Sequence, residues 1–119
     1  MAINSFRDLI AWQKAMDLAE RIYDLTDPFP KEETFGLKLQ LRRCAVSISS
    51  NIAEGHARHS TRDFIHFLRI ARGSLAEAES QLTLSGRRKY ISKAALEKTL
   101  NDSDELGRVL AGLISSLSD

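Results

Sequence analysis

Apolar side chains recur at spacings of three and four residues along most of the chain, which is the pattern of amphipathic helices. The first such run predicts a helix from Asp8 to about Thr26. The segment Asp27-Pro28-Phe29-Pro30 ends it, because proline cannot continue the helical hydrogen-bond ladder and disfavours helix in the residue before it. The apolar positions of this helix are Leu9, Trp12, Met16, Ala19 and Tyr23.

A second helical stretch follows the two prolines. Its start, Lys31-Glu32-Glu33, places acidic residues where the helix dipole is positive, and the helical pattern continues through Gly36 to about Ala57. One stripe of this helix is predicted to face a core. That stripe consists of Leu37, Leu41, Cys44, Ile48, Ile52 and Gly55.

Two serines mark further helix starts. Ser60, with Asp63 three residues later, resembles a capping box and predicts a third helix. That helix ends near Gly86, which we interpret as the glycine that commonly follows a helix. Ser92 is suited to cap a fourth helix, whose apolar positions extend to Leu117. The apolar positions of the third helix are Phe64, Phe67, Leu68, Ala71, Leu75, Ala78 and Leu82.

Four helices with short connections pack most simply as antiparallel neighbours. The predicted fold class is therefore all-α, an antiparallel up-down-up-down four-helix bundle. The length of 119 residues suits a single domain, 1–119, and the low content of 2 Pro and 6 Gly agrees with a few long helices.

Composition narrows the classes of function. The single cysteine, Cys44, excludes an internal disulfide and a zinc site built from several thiolates. No apolar run is long enough to span a bilayer, and residues 1–8 lack the shape of a signal peptide, so we expect no membrane association and a cytoplasmic location. Sequence motifs of phosphate-binding loops, dinucleotide-binding folds, zinc proteases and serine hydrolases are absent. We therefore expect a protein that is not an enzyme and binds no cofactor.

One set of side chains has the spacing of metal ligands. His59, Asp63 and His66 recur at intervals of four and three residues, as three ligands on one helix would. Two histidines and one carboxylate arise often by chance on a surface helix, however, and no supporting partner is evident in the sequence. We therefore expect no metal site.

Charge is unevenly distributed along the chain. The net charge is +1, but residues 1–35 carry −3, residues 36–90 carry +6 and residues 91–119 carry −2. Eight of the ten central cations are arginine, whose planar guanidinium suits phosphate. Two interpretations are open. The central cations are either solvated and paired with the acidic ends, or they form a surface for a polyanion.

The second helix carries a second apolar strip outside its core stripe. Leu39, Val46 and Ala53 recur every seven residues, which indicates that this helix is covered from two directions, most simply by another subunit. The alternative is one wide core stripe in a centrally buried helix. A separate side, with Lys38, Arg42, Ser49 and His56, is interpreted as an outer face.

A polar ribbon lies between the two apolar strips. Its members are Arg43, Ser47, Asn51, Glu54 and Arg58, spaced by three or four residues. The ribbon is either a small-molecule pocket or a set of hydrogen bonds and ion pairs that fixes the helix register. We favour the structural role, in which Glu54 pairs with Arg43 or Arg58, because buried polar groups need such partners.

Basic residues follow the side of the third helix opposite its apolar positions. His59, Arg62, His66 and Arg69 recur about once per turn, and the sequence Arg87-Arg88-Lys89-Tyr90 adds three cations and an aromatic ring that could stack on a base. The alternative is an ordinary exposed face. The candidate nucleic-acid contacts are Arg58, Arg62, His66, Arg69, Arg72, Arg87, Arg88 and Lys89.

Three stretches of the chain resemble one protein family. Residues 6–15 resemble its opening, residues 40–55 are similar to its most characteristic stretch, and residues 64–77 resemble its third-helix signature. The family is that of the bacterial four-helix-bundle proteins first described as encoded in intervening sequences of 23S rRNA genes. Cys44 stands where the resemblance leads us to expect alanine.

The resemblance implies an antiparallel four-helix bundle and, as in characterised relatives, a homopentameric ring with a cationic surface. One relative, the accessory variability determinant of diversity-generating retroelements, binds nucleic acid and a reverse transcriptase. Most members have no established biochemical role. Our first hypothesis is a non-enzymatic homo-oligomeric adapter that binds RNA or DNA without sequence preference. The alternative is a protein–protein scaffold that docks a partner enzyme and does not bind nucleic acid.

Overall fold

Four helices make up the computed structural model, which describes residues 5–118. They are α1 (Ile10–Thr26), α2 (Leu37–Ala57), α3 (Thr61–Arg87) and α4 (Lys93–Leu117). No strand occurs within residues 5–118, and the all-α four-helix prediction is confirmed. Residues 1–4 and Asp119 lie outside the described residues. Residues 1–4 are half of the segment 1–8 that was compared with a signal peptide.

Side-chain caps fix the starts of α3 and α4. The Ser60 hydroxyl accepts a hydrogen bond from the Asp63 amide at 3.3 Å, and the Ser92 hydroxyl accepts one from the Ala95 amide at 3.1 Å. Each cap satisfies an amide that would otherwise lack a partner in the first helical turn. Both predicted helix starts are therefore confirmed.

The first two helices begin later than their sequence pattern predicts. Phe6–Asp8 forms a separate 3-10 turn before α1, and Lys31–Glu33 forms another before α2. The prediction of one continuous helix through Gly36 is wrong, because Gly36 has φ −105° and ψ −118° and interrupts the helical backbone. The Glu33 carboxylate instead accepts a hydrogen bond from the Leu37 amide at 3.0 Å, which satisfies the first turn of α2.

The end of α3 also differs from the prediction. Gly86 lies inside the last turn, against Leu96 of α4, and the left-handed position after the helix is occupied by Lys89, with φ 64°. The amide of Tyr90 donates to the Ser85 carbonyl at 2.9 Å, and the amide of Lys89 donates to the Gly86 carbonyl at 3.0 Å. These bonds form a Schellman motif in which lysine stands where glycine is usually found.

The helices pack in the order α1, α2, α3, α4 around one core, with α4 closing against α1. Within residues 5–118, α1 and α3 contact both α2 and α4 but not each other, so they lie diagonally opposite. The large side chains with no exposed surface come from all four helices. They include Ile22, Leu41, Ile48, Ile52, Leu68, Leu82, Leu106 and Leu110.

The closest approach in the bundle is between α2 and α3. A methyl group added at Gly55 would lie 2.7 Å from Cβ of Phe67, so only a residue without a side chain fits between the two backbones there. This packing holds α3 against α2 and leaves the opposite side of α3 facing solvent.

Candidate nucleic-acid interface

The cations of the central segment are mostly unpaired. Of the ten between positions 36 and 90, Arg42 lies 3.6 Å from Asp27, and Arg58 lies 2.9 Å from Glu54. The other eight have no carboxylate within 4.0 Å among residues 5–118. Pairing with the acidic ends therefore accounts for Arg42 alone. The eight unpaired cations are Lys38, Arg43, Arg62, Arg69, Arg72, Arg87, Arg88 and Lys89.

Three candidate contacts form a row on the N-terminal half of α3. Arg62, His66 and Arg69 are all exposed and, together with Leu117 and Ser118 at the end of α4, line a shallow depression. Their position follows from the helix start at Thr61, because residues spaced by three and four lie on one face. We call Arg62, His66 and Arg69 the α3 row. His59, which the sequence placed on the same row, lies in the preceding turn with φ 56°.

Arg58 and Arg72 flank this row but differ in their surroundings. Arg58 donates to Glu54 at 2.9 Å and stacks over the ring of Phe67 at 5.1 Å. The hydrogen bond to Glu54 raises the pKa of the Arg58 guanidinium, and the carboxylate offsets its charge. Arg72 turns toward α4 and lines a groove beside Asp104 and Arg108.

The remaining candidates lie at the other end of α3. Arg87, Arg88 and Lys89, which we call the basic turn, are all exposed. Arg62 and Arg87 are separated along the helix axis by about 37 Å at a rise of about 1.5 Å per residue. The structure therefore divides the eight candidates into two groups and does not bring them into one patch.

Tyr90 is not free to stack on a base as the sequence suggested. Its ring lies 5.3 Å from that of Phe29, and its hydroxyl donates to Glu33 at 3.2 Å. These contacts attach the basic turn to the segment between α1 and α2. The Tyr90 side chain is therefore part of the packing, and the candidate interface consists of cations without it.

The opposite side of the bundle is acidic. Asp17, Glu20 and Asp24 follow one exposed side of α1 and have no ion pair among residues 5–118. Lys14 and Arg21 of the same helix pair with Glu105 at 2.6 Å and Asp102 at 3.6 Å on α4. Because α1 and α3 are diagonal, the positive and negative faces point in opposite directions.

The polar ribbon of α2 has a mostly structural arrangement. The hydroxyls of Ser47 and Ser74 lie 2.9 Å apart across the contact with α3, and the Asn51 amide donates to the Ser47 carbonyl at 2.8 Å. Glu54 pairs with Arg58, one of the two predicted partners, whereas Arg43 is exposed and forms no ion pair within residues 5–118. Most of these side chains bond to one another, and no buried side-chain nitrogen or oxygen within residues 5–118 lacks a hydrogen-bond partner.

The apolar strip of α2 is accessible. Val46 is 46% exposed, and Leu39 and Ala53 are partly exposed. Ser50 and Ala57, which are small, lie on the same side of the helix and are also exposed. The alternative of a wide core stripe does not fit a valine in this position, so the strip is a surface available to another molecule.

The side of α2 with Lys38 and Arg42 is not an outer face, contrary to the sequence interpretation. Arg42 donates to the Thr26 hydroxyl at 2.9 Å and to the Tyr23 carbonyl at 3.2 Å, and its guanidinium stacks on the Tyr23 ring at 4.4 Å. Ser49 on the same side is 7% exposed. Arg42 therefore packs against the carboxyl end of α1, where a cation is favoured, and His56 lies edge-on to the ring of Phe64 in α3 at 5.7 Å. Helical spacing alone could not distinguish this contact from solvent exposure.

Little in residues 5–118 resembles a reactive centre. No group of three or more His, Cys, Asp or Glu side chains is close enough to hold a metal ion in this part of the chain. Burial, together with the nearby Glu77 carboxylate at 3.8 Å, raises the pKa of the Cys44 thiol, so the thiol remains protonated and weakly nucleophilic. None of these helices is both long and apolar enough to cross a membrane.

Comparison with known proteins identifies the family. The model of the 23S rRNA-intervening sequence protein family matches residues 7–112. The chain belongs to this family. The matched range includes every candidate residue of the α3 row and the basic turn, and the family resemblance noted in the sequence is confirmed.

A solved structure agrees with this assignment. The chain is similar to a protein of unknown function from the S23 ribosomal protein family of Bacteroides thetaiotaomicron, with 33% sequence identity and a TM-score of 0.82. The match covers 89% of this chain and 96% of the other. No curated protein matches the chain. The comparisons thus establish the family and the fold, and they carry no biochemical activity.

Proposed function

We propose that this member of the 23S rRNA-intervening sequence protein family is a non-enzymatic, homo-oligomeric adapter that binds RNA or DNA without sequence preference. The observation that carries the proposal is the set of unpaired cations along α3 and the basic turn. Six of the eight candidate contacts are arginines and lysines without a carboxylate within 4.0 Å in residues 5–118. Such a surface is favourable for phosphates, and contacts to phosphates carry no sequence information.

The acidic face of α1 also favours binding of a polyanion to α3. A polyanion is repelled by Asp17, Glu20 and Asp24 and attracted by the diagonally opposite side, so it approaches α3 first. A net charge of +1 makes a single subunit a weak binder. Several copies of the α3 face in one assembly raise the apparent affinity without new contacts, which is why oligomerisation belongs to the proposal.

The apolar strip of Leu39, Val46 and Ala53 is the proposed subunit interface. It lies on α2, away from the cations of α3, so assembly through it leaves the proposed binding face open. The family resemblance implies five subunits in a ring.

A salt titration tests nucleic-acid binding. We expect affinity for structured RNA and duplex DNA to fall steeply with ionic strength, with log K decreasing by about 3 or more per tenfold increase in salt. Binding that is undetectable for both ligands at low salt contradicts the proposal. A pull-down that recovers one stoichiometric protein partner, insensitive to nuclease, favours the alternative scaffold function.

Light scattering tests the assembly. The unmodified chain is expected to be an oligomer, and Val46→Glu is expected to dissociate it while helical content by circular dichroism stays unchanged. Ser50→Glu, another exposed position on the same side of α2, shows how far the interface extends. A monomeric unmodified chain contradicts the interface.

A further inference from the structure

Three arginines of α3 lie in one line along the outer face of the helix. Arg62 and Arg69 are seven residues apart, close to two turns, and Arg87 follows Arg69 by eighteen residues, which is about five complete turns at 3.6 residues per turn. Their side chains therefore leave the helix in directions that agree within about 20°. All three are exposed and unpaired within residues 5–118.

The surface between these arginines is low and uncharged. Gly73, Ala76 and Ser80 occupy the same face and are all exposed, and the space around Gly73 is open to at least 4 Å. The two acids between Arg69 and Arg87 are directed sideways: Glu77 lies near Cys44 of α2, and Glu79 accepts a hydrogen bond from Ser103 of α4. Gly73, Ala76 and Ser80 therefore form a low line along α3 between the arginines, and the exposed side chains of Glu77 and Leu84 lie to one side of it.

The spacing of the arginines matches a repeat of double-stranded nucleic acid. Arg62 and Arg87 are about 37 Å apart along the axis, and the backbone of B-form DNA returns to the same side about every 34–36 Å. A straight duplex laid along α3 thus presents phosphates to both ends of the helix at once. The same face exposes no Phe, Tyr or Trp side chain among residues 61–87, whereas proteins that bind single strands use such rings as stacking platforms.

We propose that the outer face of α3 binds one segment of double-stranded nucleic acid that lies along the helix and contacts Arg62 and Arg69 at one end and Arg87 at the other. This inference rests on the proposed function and specifies its ligand. The contacts are to phosphates, so the sequence of the duplex does not matter. The length does matter, because a duplex shorter than the distance from Arg69 to Arg87, about 27 Å, reaches only one of the two groups.

Two hairpins closed by the same uncharged ethylene-glycol linker test the inference. Stems of about 6 and about 12 base pairs are about 20 Å and about 41 Å long at 3.4 Å per base pair. We expect the full-length protein to bind the longer stem about tenfold more tightly than the shorter one. In Arg87→Gln this ratio should fall to about twofold, because a longer stem still offers more positions at which the remaining arginines can bind. Arg43→Gln, which removes an exposed arginine from α2, is the control and should keep the tenfold ratio.

A second variant tests whether one duplex covers the middle of the face. Ser80→Glu places a carboxylate between the two arginine groups and should weaken binding of the longer stem about tenfold, with Ser80→Gln as the uncharged control. Ser80 is exposed, so neither change disturbs the core. The arms with DNA and RNA stems of equal length distinguish the two kinds of duplex.

Three outcomes overturn the inference. If the two stems bind with equal affinity, or if Arg87→Gln lowers the affinity for both stems equally, the two arginine groups bind separately. If single strands bind as tightly as duplexes, the ligand is not a duplex. In each of these cases the proposed function still stands. Failure of all stems and single strands to bind at low salt overturns the proposed function as well.

Discussion

The outer faces of α1 and α3 are built on the same spacing and carry opposite charge. On α1 the exposed positions are occupied by Asp17, Glu20 and Asp24, and on α3 they are occupied by Arg62 and Arg69. The two helices are diagonal in the bundle, so each face is separated from the other by the core. A protein with a net charge near zero can therefore have one strongly negative and one strongly positive face, because the fold places opposite charges on opposite sides.

The same two helices also differ in how they are attached to α2. Contact of α1 with α2 includes Arg42, which binds the end of α1 through its guanidinium. Contact of α3 with α2 is a close approach of backbones at Gly55, supported by the Ser47–Ser74 pair. The contact of α1 with α2 thus includes an arginine that reaches across to the other helix, whereas the contact of α3 with α2 depends on the close approach of two backbones.

Neutralising the α3 arginines should have the largest effect. In Arg62→Gln/Arg69→Gln/Arg87→Gln, affinity for a long duplex should fall about a hundredfold at low salt, and the salt slope should decrease by about 3, because three phosphate contacts are lost. Fluorescence anisotropy at several salt concentrations measures both quantities. Asp17→Asn/Glu20→Gln/Asp24→Asn is the control on α1, and its affinity should rise by less than about threefold. Equal effects of the two triple variants would mean that net charge alone controls binding.

Filling the contact between α2 and α3 should have the next largest effect. Gly55→Ala introduces a methyl group 2.7 Å from Cβ of Phe67, and we expect it to destabilise the protein by about 1–2 kcal/mol despite the better helix propensity of alanine. Gly73→Ala, where the added methyl group meets only solvent, should instead stabilise it by about 0.5–1 kcal/mol. Urea denaturation distinguishes these results. If Gly55→Ala leaves the stability unchanged, α2 and α3 can move apart there with little loss of free energy.

Removing the contact of Arg42 with α1 should have a smaller effect on the free energy of unfolding. Arg42→Gln loses the hydrogen bonds to Thr26 and to the Tyr23 carbonyl and should destabilise the protein by about 1 kcal/mol. The adjacent Arg43→Gln removes a cation with no carboxylate within 4.0 Å in residues 5–118 and should change stability by less than about 0.5 kcal/mol. The two variants have the same charge, so a difference in urea midpoint reports the contact itself. Equal urea midpoints of the two variants would show that the contacts of Arg42 with α1 do not stabilise the protein.

The smallest expected effect concerns the basic turn. Lys89 adopts a left-handed backbone, so Lys89→Gly should stabilise the protein by about 0.5–1 kcal/mol. Lys89→Ala removes the same charge but keeps the strained backbone, and its stability should be unchanged. Both variants should lower the salt slope of duplex binding by about 1 if Lys89 contacts a phosphate. Loss of stability in Lys89→Gly would contradict the account of the turn.

Much of the fold could be predicted from the sequence, because helical periodicity follows the core closely in α2 and α3. In α1 it follows the core less well, since Met16 and Tyr23 of the predicted apolar run are 37% and 41% exposed. The four helices and the serine caps at Ser60 and Ser92 follow from local patterns whose physical cause lies within a few residues. Gly36 and Lys89 were not predicted correctly. At both positions the backbone departs from the usual preference because of contacts beyond the local pattern, such as the Glu33 carboxylate and the Tyr90 packing.

The candidate interface was predicted less completely than the fold. Periodicity placed Arg62 and Arg69 on a face away from the core, but it could not show that Arg42 contacts α1 or that Tyr90 is engaged by Phe29. Nor did the sequence indicate that the candidate cations form two groups, because their separation depends on the full length of an unbroken α3. Pairing and distance depend on tertiary structure, which a helical repeat does not encode.

The short turn and the close packing between α2 and α3 have a consequence for the order of folding. Only Arg58, His59 and Ser60 separate these helices, so their contacts form with little loss of chain entropy. We expect the α2–α3 hairpin to form first, with α1 and α4 docking onto it afterwards. Native-state hydrogen exchange should then find the most protected amides in α2 and α3, and equal protection of α1 would contradict this order. The proposed binding helix would thus lie in the part of the molecule that opens last.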